Sequence, residues 1–588
     1  DYARHSDQLE SGFEQRLSRL GTALAAHVDA HATAISVELQ ELDASVSKHR
    51  LGREGGRRME RAAMALRLAR WLADQTDQDT SRATGLSAIA QAYVAESGFV
   101  DWARRVLRGG EPNKDLAAAY VRIVDRVTEL REGENRRFGQ ALVEQRAAGA
   151  VGSGVIPVER VLDHVVANVA KQAPVLLLLI DGMNWAVFRE LVSDIRSRDW
   201  IEVGCERKAE RLIGLAALPS VTAVCRTSLF CGKLRHGQAS DEVRGFADHP
   251  ALASASQPGL PPRLFHKAAL EGDEDSSLAG DIRKALANKK QRVVGIVINA
   301  VDDHLDKGDQ IDAVWNMQNI RVLEPILAEA GAAGRCVVML SDHGHMLDRQ
   351  TESCEGDDGL RWRRPGGDLS DRELELSSPR VVMPDGGKVI VPWSERIRYG
   401  AKKNGYHGGA TPQEMLIPIS LLWPELRLPE GFEELPVDVP QWWIEPSAPQ
   451  PVSTPTTEPT KPLSKKIEEP TLFDPPPVVE AAPTAAWITE LLNSEVLVSQ
   501  KQRAGRVPIE DRMLRELLEA LASRGGSMTA SALASATGTP EHRLSGLLAV
   551  MQRVLNVEGY AILDRQDVSN TVVLNITLLK KQFELGSA

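Results

Sequence analysis

Four short apolar runs in this chain each end on residues that bind metal ions or carry a reactive hydroxyl. VLLLLI at 175–180 runs into Asp181-Gly182, and VVGIVIN at 293–299 runs toward Asp302 and Asp306. CVVMLS at 336–341 runs into Asp342-His343-Gly344, and RLIGLAAL at 211–218 runs into Pro219-Ser220-Val221-Thr222. A single Asp after a strand is ordinarily a helix N-cap. Four strands delivering such residues at one edge describe a ligand site instead, because ligands bind outside the carboxyl ends of open parallel sheets. Oxygen ligands joined by imidazole suit Zn²⁺ or Mn²⁺, whereas hydrated Mg²⁺ takes fewer histidines. Carboxylates cancel the cations' charge. Two cations about 3.5–4 Å apart hold both the attacking and the leaving oxygen of an in-line phosphoryl displacement. A hydroxyl bound to one of them is acidified and becomes the nucleophile.

The elements that must position these residues follow from the pattern around them. Between the apolar runs lie amphipathic stretches such as WAVFRELVSDI, DIRKALANKK and MQNIRVLEPILAEA, and MLIPISLL closes the series. Continuous apolar strands alternating with such helices predict an α/β domain over 155–439 with a mostly parallel, doubly wound sheet. The alternation stops between His345 and Gly405, so about 346–404 reads as a cap insertion. Within it VVMPDGGKVIVPW (381–393) predicts a hairpin turning at Asp385-Gly386. Residues 1–154 show three- and four-residue apolar spacing throughout and predict an α-helical N-terminal domain. His27 and His31 stand one helical turn apart there, a zinc-compatible spacing with no third ligand nearby, so a solvated helix face is the preferred reading. Residues 440–485 are rich in proline and poor in aromatics, a linker. Residues 486–588 read as helix, helix-turn-helix and two strands, the order of a winged-helix-like domain. Its second helix offers only His542, Arg543 and Arg553, which favours protein docking over DNA reading.

Composition narrows the class. At 588 residues the chain exceeds a single core. No apolar stretch reaches about 18 residues, so no membrane span is expected. Five dispersed cysteines without a CxxC pair argue against disulfides and thiolate zinc, and point to a reducing cytoplasm. The formal charge of -11 gives no global attraction for nucleic acid. The chain opens on Asp1 with no signal-peptide pattern, as an excised fragment would.

IDGM at 180–183, P-S-x-T leading to LFCG at 219–232, SDHGH at 341–345 and GYHGG at 405–409 resemble the alkaline phosphatase superfamily. NAVDDHLDKGD at 299–309 narrows the resemblance to the PglZ branch of the BREX phage-exclusion systems, type 2 in its domain order, because it spaces Asp and Asp four apart. The resemblance is specific over 174–424 and only architectural outside it. It implies an alkaline phosphatase-like fold and two divalent metals, Zn²⁺ first and Mn²⁺ second. Asp181, Thr222, Asp342 and His343 would hold one metal; Asp302, Asp306 and His407 would hold the other. Thr222 would be the nucleophile, with Ser220 the competing hydroxyl, and His304 could stand in for one of the paired aspartates. Cys225 and Arg226 do not form the Cys-x-Pro-x-Arg element of sulfatases.

Other residues keep two readings. His345 is either a partner of the metal site or a solvated loop histidine. Arg226 either binds phosphate or makes a surface ion pair. Arg361, Arg363 and Arg364 around Trp362 either meet a phosphate-bearing or nucleic-acid substrate or form an exposed basic face. The expected function is a phosphodiesterase or phosphatase working with other BREX defence proteins; the alternative is a scaffold of that complex with structural metals.

Overall fold

The computed structural model describes residues 2–444 except 76–82, 146–153, 199, 206–210, 271–277, 308–312, 357, 385, 425–427, 429–430 and 436–437. It also describes residues 486–585 except 504–510, 524–525, 540, 557–561, 567–570 and 584. The chain divides into two compact units, residues 1–447 and 448–588.

The first unit is built on a nine-stranded sheet. Its strands are β1 (Val155–Pro157), β2 (Val175–Ile180), β3 (Ile201–Cys205), β4 (Leu212–Leu215), β5 (Arg263–Phe265), β6 (Val293–Ile298) and β7 (Cys336–Leu340), followed by a long strand Leu416–Trp423 and a short one Phe432–Glu434. The order is β1, β4, Leu416–Trp423, β7, β2, β6, β5, with β3 joined to the long strand and to Phe432–Glu434. β2, β6 and β7 are buried at every residue, which is why their sequences run apolar without alternation. β2 is parallel to both neighbours, and Leu416–Trp423 is antiparallel to β7 and β4. The sheet is therefore mixed but mostly parallel. Register does the positioning: Ile180 pairs with Ile298, and Leu179 pairs with Leu340. The next residues along each strand bring Asp181 beside Asn299 on one side and Asp342 on the other.

The N-terminal region is helical, with long helices Glu10–Asp29, Val37–Lys48, Arg57–Gln75 and Lys114–Gln145. Their apolar stripes close on a core containing Leu17, Leu20, Leu68, Trp71 and Ile123. The first helix ends at Asp29, and His31 follows in a left-handed conformation, φ 48°. His27 is buried while His31 Nδ1 donates to Val28 O at 3.0 Å, so the two do not share a solvated helical face. Gln441–Trp443, within the stretch whose composition reads as linker, joins this helical core. Trp443 meets Trp102 with ring centroids 4.9 Å apart, and the Arg67 guanidinium lies 4.4 Å from a Trp443 ring centre.

The cap differs from its sequence expectation. Lys388–Pro392 pairs antiparallel with Glu373–Ser377 rather than with residues 381–384. Val381 instead bridges to Leu218, and Val382 N–H donates to Leu218 O at 2.8 Å. Pro384 has no N–H to give a ladder, and ELELS supplies the alternation that β pairing needs. Asp385 lies outside the described residues.

The second unit contains helices Asp511–Ser523, Ala530–Thr537 and Glu541–Leu555 and a three-stranded sheet of Ser527–Thr529, Thr571–Leu574 and Leu563–Gln566. Among the described residues, no helix is long and apolar enough to cross a membrane.

The burial of Trp442 and Trp443 sets a boundary that can be measured. A chain ending at Ser447 should unfold at the temperature of the first unit in the full chain. One ending at Pro440 should melt lower, because losing a buried Trp costs about 3–5 kcal/mol. Calorimetry of both truncations showing identical melting would contradict this packing.

Candidate functional site

At the carboxyl edge of the sheet one carboxylate organises the rest. Asp181 follows β2 into a sharp turn that Gly182 makes with φ 73°, a left-handed value that glycine adopts freely. Asp181 Oδ2 accepts from Arg226 Nη1 at 2.6 Å and Asn299 Nδ2 at 2.9 Å. Its Oδ1 stands 3.6 Å from His343 Nε2 and 3.4 Å from Thr222 Oγ1. Thr222 Oγ1 lies 3.0 Å from His343 Nε2, and Asp342 Oδ2 lies 3.7 Å from that same nitrogen. Ligand atoms of Asp181, Asp342 and His343 all fall within 4.8 Å of one another. The structure therefore gathers the four residues expected at one metal.

Electrostatics at this point favour a cation. Burial, then the charge of Asp342, pushes the Asp181 carboxyl up to about 7, and burial raises Asp342 to about 6. His343 is pushed down to about 4 by burial and by His407, which keeps its imidazole neutral. Its Nδ1 donates to Gly344 O at 3.0 Å, so the Nε2 lone pair faces Thr222 and Asp181. Asp342 Oδ2 and His407 Nδ1 are buried and have no hydrogen-bond partner among the described residues. Buried acceptors left unpaired are costly, and a bound cation would satisfy the carboxylate oxygen.

The second expected set is only partly gathered. Asp302 Oδ1 lies 3.4 Å from His407 Nε2, and the His407 ring stacks on His343 with centroids 4.5 Å apart. Burial would raise the Asp302 carboxyl, but His407 holds it below the usual range; His407 in turn is raised by Asp302 against its burial. Asp306, one turn further along helix Ala300–Lys307, is exposed and pairs with Lys403. His304 packs edge-on against Trp315.

Two loops are held by buried polar residues. Ser220 is fully buried, donates to Gly409 O at 2.9 Å and accepts from Gly408 N–H at 3.2 Å. Its hydroxyl is thus engaged in joining the Thr222 and His407 loops. His345 is buried rather than solvated: Nδ1 donates to Gly182 O at 2.6 Å, and Nε2 faces Asn184 Nδ2 at 3.4 Å. Arg226 is no surface pair, since Glu242, its second partner at 3.1 Å, is buried. Arg361 is also fully buried, donating to Ser394 O at 2.7 Å and Ile397 O at 2.6 Å and pairing with Glu414 at 2.9 Å. Arg363 pairs with Glu373 and Arg364 with Asp358, so these three arginines do not form an exposed basic face. Glu414 then accepts from Gly409 N–H at 2.8 Å, which fixes the backbone next to His407. Asn299, Glu242 and Glu414 went unnoticed in the sequence. Asn299 had the same signal as Asp181, a polar residue directly after a buried strand.

Comparison with known proteins bears on this arrangement. A family model for the BREX system PglZ alkaline phosphatase-like domain matches residues 161–421, and one for the BREX system PglZ C-terminal domain matches 482–584. No curated protein sequence matches the chain. Similar solved structures include murine ectonucleotide pyrophosphatase/phosphodiesterase 5, at 13% identity and a TM-score of 0.28, covering 42% of this chain and 87% of that one. An inactive form of the same murine protein in complex with AMP has 13% identity and a TM-score of 0.27, covering 44% and 89%.

The Arg361–Glu414 pair yields a direct prediction. Arg361→Ala leaves Glu414 buried without its partner and should destabilise the first unit by about 3–5 kcal/mol in chemical denaturation. Glu414→Gln together with Arg361→Met should recover much of that loss. A destabilisation below about 1 kcal/mol in the single variant would mean the pair does not hold the loop.

Proposed function

Since the chain belongs to the BREX PglZ family, carrying both of its characteristic domains, we propose that it is a metal-dependent phosphoesterase of bacteriophage defence with Thr222 as its nucleophile. The observation that carries this reading is the convergence of the Thr222 hydroxyl with Asp181, Asp342 and His343. Asp181, Thr222, Asp342 and His343 would hold one divalent metal, and Asp302 and His407 a second, which Asp306 would join only on leaving Lys403; zinc fits the imidazole and carboxylate donors best. When bound, such cations supply charge neutralisation and polarise the phosphoryl oxygens.

The chain's own residues do the rest. Thr222 is the first residue of helix Thr222–Cys231, where N–H groups lack intrahelical acceptors and the dipole favours negative charge. An anionic phosphoryl group approaching Thr222 meets those donors. Ser220 is occupied in the loop contact, which leaves Thr222 as the hydroxyl that faces the ligand cluster. Gly344 allows the chain to pass close behind: a Cβ there would meet Gln413 O at 1.9 Å.

The C-terminal unit is proposed to be a winged-helix domain that docks other defence proteins, on the order of helix, strand, two helices and two strands. The scaffold reading draws on the Asp306–Lys403 pair, which keeps one expected ligand away from the others. Catalysis and scaffolding separate in a single experiment. Thr222→Ala should retain most bound metal and the wild-type melting temperature, yet lower hydrolysis of generic phosphodiesters by about 1,000-fold or more. Chelation of the wild type should abolish turnover and lower its melting temperature. Full activity in Thr222→Ala, or in the chelated protein, would remove the phosphoesterase reading in this form.

A further inference from the structure

Arg226 holds one proposed ligand, Asp181, and is itself gripped from the other side by Glu242, which lies outside the ligand set. It lies four residues after Thr222 on helix Thr222–Cys231, one turn along the same face. Asp181 divides its two oxygens between them: Oδ1 faces the Thr222 hydroxyl at 3.4 Å, and Oδ2 accepts from Arg226 Nη1 at 2.6 Å. On its other side Arg226 Nε donates to both oxygens of Glu242, at 3.1 and 3.2 Å. Glu242 is itself fixed, 1% exposed and accepting from Thr227 Oγ1 at 3.3 Å. His266 Nε2 stands 3.4 Å from Glu242 and is kept neutral, its pKa pushed down to about 4 by burial and by Arg226. The guanidinium is thus locked at two of its three nitrogens. Among the described residues Nη2 makes no hydrogen bond, and the side chain keeps 12% of its surface exposed.

A buried structural pair with Glu242 would need none of this. An arginine whose fork is pinned by two carboxylates, with one nitrogen still able to donate, beside a nucleophile at a helix N-terminus, is a preorganised anion-binding group. We propose that Arg226, oriented by Glu242, binds a non-bridging oxygen of the phosphoryl group under attack by Thr222. The assignment rests on the phosphoesterase reading above. It adds a substrate-contacting cation to the metal ligands and makes Glu242 a positioning residue, since Glu242 would reach the phosphoryl group through Arg226. Asn299 completes the arrangement by donating to the same Asp181 oxygen, so the carboxylate does not swing toward the substrate.

The test uses the metal-loaded full chain, with inorganic phosphate as the probe in calorimetry and a generic diester in kinetics. Removing Arg226 alone strands the buried Glu242, so the informative variant is the pair Arg226→Met with Glu242→Gln, alongside Arg226→Lys. The double variant should bind phosphate about 10- to 100-fold more weakly and lose at least as much in kcat/KM, with metal content unchanged. Arg226→Lys, a point charge without the fork, should fall between it and wild type. Glu242→Gln alone should raise KM for the diester and weaken phosphate binding while leaving metal content unchanged. If the wild type hydrolyses the diester and the double variant keeps wild-type kcat/KM and phosphate affinity, the assignment is wrong and the phosphoesterase reading stands. If the metal-loaded wild type neither hydrolyses the diester nor binds phosphate, the phosphoesterase reading fails and takes this assignment with it.

Discussion

Two carboxylates, Asp181 and Asp342, follow adjacent, fully buried strands and share one patch of low-dielectric interior. Both carboxyls are raised above the usual range: Asp181 by burial and the charge of Asp342, Asp342 by burial. Such a pair is a poor choice for stability and a good one for holding positive charge. Arg226 and Asn299 take one oxygen of Asp181, which leaves its other oxygen near His343 Nε2 and Thr222 Oγ1, with Asp342 Oδ2 3.7 Å from the same nitrogen. A cation held there, as proposed, would relieve that electrostatic strain, and its binding would then be coupled to folding.

Much of the first unit can be understood as holding that patch still. His345 and Asn184 pin the turn after Asp181, and Ser341 Oγ accepts from Met183 N–H at 2.9 Å while donating to His343 O at 2.6 Å. The His407 loop is held from below by Glu414 and Arg361, and from the side by Ser220. The chain of polar contacts continues outward. Gln413 Nε2 donates to Glu395 at 2.6 Å, and Glu395 pairs with Arg104 of the helical region at 3.0 Å. Buried ion pairs of this kind add little net stability, but breaking one is expensive, so they fix geometry. The helical region is therefore packed against the cap by specific buried charges and not by a greasy surface alone.

The parts legible in the sequence were those set by local pattern. VLLLLI, VVGIVI and CVVMLS could only be strands buried on both faces, and their parallel register placed Asp181 and Asp342 side by side. What escaped depends on partners distant in sequence. Arg361 looks like a surface charge until Glu414 and two carbonyls 33 and 36 residues away enclose it. The 381–393 stretch has a good turn and two β-rich arms, yet Leu218 and Glu373–Ser377 compete successfully for them. His31 carries no local sign that its helix stops at Asp29. Trp442 and Trp443 sit in a proline-rich context, and their burial depends on Phe99, Trp102 and Arg67, which are distant in sequence. The preference for Thr222 over Ser220 came from the resemblance; the structure adds that the Gly408–Gly409 backbone engages the Ser220 hydroxyl while Thr222 faces His343.

The most direct measurement is an anomalous difference map from crystals of the first unit grown with Zn²⁺, collected on both sides of the zinc absorption edge. The account predicts a strong peak about 2.0–2.2 Å from an oxygen of Asp181, an oxygen of Asp342 and a nitrogen of His343, with Thr222 Oγ1 beside it. A map with no peak among those residues, while zinc appears elsewhere on the molecule, would contradict it.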